Sequence, residues 1–162
     1  IILEQQVSLA SARAALIKLK ERIGFVTPAK LLALSDDELK ACYFSRQKIV
    51  YAKCLADAIV TKQIILKTIN DLGDAEIRHQ LKTIKGIGDW TVDVYLLFAL
   101  QRTDIFPLGD LAMVNALKEV KQLPKETRQE ELLKLAEKWR PYRSIATMLF
   151  WHHYIQKRGI KV

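Results

Sequence analysis

Two glycines, Gly86 and Gly88, flank Ile87 in the stretch Lys85-Gly86-Ile87-Gly88, between two segments of helical periodicity. Such a turn lets successive backbone N–H groups face outward at the start of a helix, an arrangement that binds phosphate. Amide donors see only the sugar–phosphate chain, so this grip would be blind to base sequence, and Lys85 would add charge to it. An ordinary turn between two helices fits the same residues. Asp110 follows 22 residues after Gly88, past one helix and a connector that holds Pro107 and Gly109, and begins another helix. The helix N-terminus favours a carboxylate there. Held beside a deoxyribose, that carboxylate could stabilise the positive charge that develops as a base departs. A helix N-cap with no chemical role is the alternative.

The elements that would position these residues read as helices throughout. Nothing alternates with a period of two over a useful length, and helix start and stop signals are dense. The chain opens in a segment whose apolar residues Ile2, Val7, Ala10, Ala14 and Ile17 read as amphipathic helix, ending near Gly24. The reading therefore expects further sequence before Ile1. Thr27-Pro28 supplies an N-cap and a helix-opening proline, Ser35-x-x-Glu38 a capping box, and Ser45 the cap of a longer helix. Asp71-Leu-Gly73-Asp74 closes one helix and opens the next, which carries Ile77, Leu81 and Ile84 on one face. After the glycine turn a helix runs from Asp89 to Leu100. Residues 101–110 connect, and helices follow over Leu111 to Val120, behind Thr127-x-x-Glu130 over Leu132 to Trp139, and from Ser144 to Lys157.

The 162 residues suit one domain or two small lobes, and 50% hydrophobic content is enough for a core, which argues against a disordered chain. A net charge of +8 favours a polyanionic partner, nucleic acid ahead of an anionic membrane. No apolar run is long enough to span a bilayer and no signal peptide pattern opens the chain, so a cytosolic or, in a eukaryote, nuclear protein is expected. Cys42 and Cys54 lack metal-ligand spacing and read as core thiols, and His79, His152 and His153 have neither ligand spacing nor a nucleophile partner. His152-His153 is a minor candidate for backbone phosphate contact.

Four blocks in order carry a resemblance: Ile2-Leu-Glu-Gln5-Gln6-Val7-Ser8, then Leu81 through Gly86-Ile-Gly88-Asp-Trp90-Thr91, then Phe106-Pro-Leu-Gly-Asp110, then Trp139-Arg-Pro141-Tyr-Arg143-Ser144 leading to Phe150-Trp151. Together they are similar to the helix-hairpin-helix (HhH-GPD) superfamily of DNA glycosylases, and most similar to its 3-methyladenine DNA glycosylase II branch, over essentially the whole chain.

The resemblance implies an all-α, two-lobed fold with the active-site cleft between lobes. A helical barrel would span about 1–103 and a second lobe about 104–162, which the missing N-terminal sequence would help complete. It implies that Asp110 is the catalytic aspartate and that Lys85, Gly86, Ile87, Gly88 and Thr91 grip duplex DNA. Gln6, with Gln5 beside it, would fill the gap left by an extruded nucleotide, although a solvated helix face fits both. Trp90 stands where lyase-competent relatives place a lysine, which implies a monofunctional enzyme that uses water. Trp90, Trp151 and, less directly, Tyr95 would line the base pocket, the Trp151 face attracting cationic alkylated purines, although either tryptophan suits a core. Val94 occupies the position where relatives keep a pocket aromatic. Glu4 and Asp89 depart from the pattern by placing carboxylates near the DNA. The resemblance implies no organic cofactor or catalytic metal, allows a monovalent cation at the hairpin carbonyls, and implies a monomer; two cysteines are too few for an iron–sulfur cluster. A non-catalytic helix-hairpin-helix module, or a glycosylase for uracil or mismatched thymine, shares the same grip.

Overall fold

The computed structural model describes residues 1–160 and is all-α among them, as the periodicity predicts. The helices are α1 (Leu9–Ile23), α2 (Pro28–Leu32), α3 (Asp36–Ala41), α4 (Arg46–Val60), α5 (Asp74–Lys82), α6 (Asp89–Phe98), α7 (Leu111–Val120), α8 (Gln129–Ala136) and α9 (Arg143–Lys157). Side-chain oxygens hold several N-termini where expected. Thr27 caps α2, Ser35 and Glu38 form a reciprocal capping box on α3, and Ser45 caps α4. No helix among the described residues is long and apolar enough to cross a membrane.

Two local expectations change, and a third concerns the boundary between the units. The chain does not open inside a long helix: Ile2–Glu4 form a single 3₁₀ turn, Gln6 takes a left-handed backbone conformation at φ 55°, and Ser8 caps α1 by accepting from the Ser11 amide. Left-handed backbone interrupts a right-handed helix, so the apolar periodicity of 2–17 spans two elements. The box anticipated at Thr127 does not form either. Its hydroxyl donates instead to the Pro124 carbonyl, and α8 starts behind Arg128 without a side-chain cap.

The chain divides into one unit of Ile1–Val92 and a second that begins at Asp93. In the first, Leu19 of α1, Leu31 of α2, Leu39 of α3, Phe44, and Ile49 and Ala52 of α4 form one apolar cluster, with Cys42 buried in it. In the second, Phe106 packs with Met113 and Leu117 of α7, Leu132 and Ala136 of α8, and Phe150 of α9. The connector 101–110 lies within this second unit, and the boundary falls inside α6 instead of near 103–104. The physical reason is local. The Ser144 hydroxyl donates to the Arg102 carbonyl (2.6 Å) and accepts from the Ile105 amide (2.9 Å), and the Arg143 guanidinium grips the Asp104 carboxylate at 2.6 and 3.0 Å. These bonds staple the connector to the start of α9.

Candidate functional site

The glycine turn belongs to the first unit. Leu81, Ile84 and Ile87 are buried and anchor it from below, while Lys85 and Gly88 are exposed. The two glycines are required for different reasons. Gly86 sits at φ 91°, and a Cβ placed on it would lie 2.1 Å from Cγ of Tyr51, so both the backbone and the neighbouring ring demand glycine. Gly88 has no positive φ, and a Cβ on it would meet no protein atom within 4 Å. The space above Gly88 is open, at the N-terminus of α6.

Gln5 reaches this turn from the chain start. Its side-chain amide donates to the Gly86 carbonyl and to the Thr91 hydroxyl, both at 2.9 Å. Thr91 is only 7% exposed. Lys48 in turn donates to the Leu3 carbonyl, and burial pushes its ammonium below the ordinary value. The structure thus uses Gln5 and Thr91 to brace the turn, and it is Gln6 that is exposed. Sequence reasoning missed Tyr51 and Lys48 in this cluster; nothing in their spacing marks them. Asp89, anticipated as a repulsive carboxylate, is ion-paired with Lys82 at 2.7 Å, which offsets its charge. Trp90 stands half-buried in the first turn of α6.

The second cluster lies in the second unit and centres on Asp110, 9% exposed. Asp110 caps α7: its Oδ1 accepts from the Met113 amide at 2.8 Å, so the capping reading is correct as geometry. The same oxygen also accepts from the Trp151 indole N–H at 3.0 Å. Two N–H donors from different elements therefore converge on one carboxylate oxygen. The indole is stacked on Phe98, ring centroids 5.4 Å apart and planes 14° from parallel. Phe98 is 58% exposed and was not anticipated, although an aromatic at the last position of α6 was visible in the sequence. Tyr95 is half-buried on α6, and burial pushes its phenol up; Val94 is buried. His153 lies 3.7 Å from Glu119, and His152 is exposed.

A profile described as HhH-GPD superfamily base excision DNA repair protein matches residues 1–141. The chain belongs to this superfamily. Among its HhH-GPD relatives, the alkylbase DNA glycosidase-like protein mag2 of Schizosaccharomyces pombe is 34% identical over 128 residues, which is 78% of this chain and 60% of that protein. DNA-3-methyladenine glycosylase 1 of the same yeast is also 34% identical over 128 residues, 78% of this chain and 56% of that protein. The chain thus spans 60% or less of the length of these two relatives. A structure of the S. pombe 3-methyladenine DNA glycosylase in complex with abasic DNA matches with a TM-score of 0.87 at 30% identity, covering 97% of this chain and 77% of that one. The HhH-GPD profile ends before Trp151, whereas that structural match takes in nearly the whole chain.

Proposed function

We propose that this HhH-GPD chain is a monofunctional DNA glycosylase that flips alkylated purines, such as 3-methyladenine or 7-methylguanine, out of duplex DNA and hydrolyses their glycosidic bond. The observation that carries the reading is the buried Asp110 carboxylate with its Oδ1 held by the α7 amide and the Trp151 indole. The relatives, 3-methyladenine glycosylases among them, support the same substrate class. In the reaction the C1′–N bond breaks and its electron pair leaves with the base, which turns a cationic alkylated purine into a neutral one. A water oxygen bonds to C1′, and Asp110 takes its proton after offsetting the oxocarbenium charge. Flipping precedes this step, and it costs least at damaged or mispaired sites.

Backbone amides of Gly86, Ile87 and Gly88, with Lys85, would hold a phosphate, and Gln6 would occupy the vacated gap. Trp90, Trp151 and Tyr95 would line the base pocket. No amine stands at Trp90, so no imine with the sugar forms there. This chemistry asks for no organic cofactor and no catalytic metal. The hairpin carbonyls would suit a monovalent cation, the Gly86 oxygen keeping a second lone pair beside the bond it accepts from the Gln5 amide. The protein would act as a monomer on double-stranded DNA, in the cytoplasm of a bacterium or archaeon or in a eukaryotic nucleus.

The test is base release from duplexes that carry alkylated, deaminated or mismatched bases, scored in parallel for the wild-type protein and Asp110→Asn. Asparagine keeps a side-chain oxygen for the cap, so the variant is expected to fold and to bind DNA within a few-fold of wild type. Release of alkylated purines by wild type, loss in the variant, and intact abasic strands without borohydride trapping are the expected results. Wild-type turnover in Asp110→Asn, or DNA binding without release of any base by the wild-type protein, refutes the proposal.

A further inference from the structure

We propose that Trp151 serves chiefly as a positioning residue for Asp110, acting through its indole N–H, with Phe98 setting the plane of the ring. The inference rests on the reading of Asp110 as the catalytic carboxylate. It departs from the expectation that Trp151 acts through its π-face on a cationic base.

Three observations lead to it. The indole has one donor and no acceptor, so its 3.0 Å contact with Asp110 Oδ1 can run in only one direction. The cap amide reaches that oxygen from its own helix. The second donor, from a helix 41 residues away in sequence, reaches the same oxygen from a different element. Finally, Phe98 covers one face of the indole in a near-parallel stack while standing 58% exposed itself. Phe44, Phe106 and Phe150 are buried, whereas Phe98, like Phe25, stands exposed. Phe98 leaves only the opposite face of the indole for any other partner, and it holds the N–H in the direction of Asp110.

The two roles separate by substrate. A cation–π contact favours charged bases over neutral ones, whereas the orientation of a carboxylate matters equally to every base it helps to expel. Misplacing a reacting group by about 1 Å can cost on the order of a hundredfold in rate. Trp151→Phe keeps a ring on Phe98 and deletes the N–H. It is expected to lower kcat by about ten- to a hundredfold, by the same factor for cationic 7-methylguanine and neutral hypoxanthine, with KM changed by no more than about threefold. Two site-specific isosteres keep the fold and sharpen the result. Replacement of Trp151 by 3-benzothienylalanine, which has the bicyclic shape but no N–H, is expected to match Trp151→Phe. Replacement by 5-fluorotryptophan, which keeps the N–H and weakens the π-face, is expected to restore wild-type kcat.

A larger loss for the charged base than for the neutral one, or a fluorotryptophan variant slowed only on the charged base, overturns the inference in favour of stacking. Wild-type kcat in the benzothienylalanine variant overturns it outright. Undiminished turnover in Asp110→Asn, measured alongside, instead refutes the reading of Asp110 on which the inference rests.

Discussion

Substituting alanine at Gly86 and at Gly88 separates a glycine required by the protein from one required by its ligand. At Gly86 an alanine would have to hold φ 91° and share space with Tyr51, whose Cγ lies 2.1 Å from the new Cβ. The unfavourable backbone costs about 1–2 kcal/mol and the overlap about 1–3 kcal/mol more, because Cγ is the root of a ring and not a flexible end. A loss of roughly 2–5 kcal/mol lowers the melting temperature of a chain this size by about 5–15 °C. At Gly88 the Cβ enters open space at ordinary φ, and the cost is that of a poorer helix cap, up to about 1 kcal/mol. That Cβ nevertheless occupies the space a phosphate would need against the α6 amides. Gly88→Ala is therefore expected to melt within a few degrees of wild type and to bind duplex DNA about tenfold more weakly, equally for damaged and undamaged duplexes, since the phosphate is common to both. Thermal melting with fluorescence anisotropy on the two duplexes reads both effects. The reasoning fails if Gly88→Ala melts as low as Gly86→Ala, if it binds DNA as wild type does, or if it weakens binding only to damaged duplex.

Lys85→Ala should reduce the slope of log affinity against log salt by about one, without changing base preference, because one cation–phosphate contact is lost; an unchanged slope would remove Lys85 from the interface. Arg143→Met should destabilise the protein at neutral pH by about 2 kcal/mol, the scale of a charged hydrogen bond. Arg143 holds the Asp104 carboxyl below the usual carboxylate range, chiefly through its side-chain hydrogen bond. The stabilisation is then fully present above the ordinary aspartate value near pH 4 and is lost as pH falls through the lowered folded value. Urea unfolding at pH 7 and at pH 3 should show the gap between wild type and Arg143→Met narrowing in acid; a gap of constant size would refute the linkage.

Much of the fold was legible in the sequence because its determinants are local. Thr27, Ser35 with Glu38, and Ser45 cap helices by reaching backbone amides three residues on, a distance that any chain reports directly. The Gly86–Gly88 turn and the Asp110 cap belong to the same class, so a glycine turn and a carboxylate at two helix starts were legible as well. Local signals also failed where two of them competed. The periodicity of Ile2 to Ile17 ignored the left-handed Gln6, and Thr127 chose the Pro124 carbonyl over a cap.

Tertiary structure decided what the side chains do. Gln5 meets Gly86 across 81 residues, and Trp151 meets Asp110 across 41. Neither pairing follows from spacing, because it depends on how separate helices pack. Gln5, read as the DNA-side neighbour of Gln6, braces the hairpin, and Trp151, read for its face, donates to a carboxylate. Tyr51 beneath Gly86 and Phe98 against Trp151 carry no motif at all; helix packing alone places one ring where a Cβ cannot go and leaves the other exposed beside the candidate catalytic acid. Residue type states which bonds a side chain can make, and the fold selects the partner.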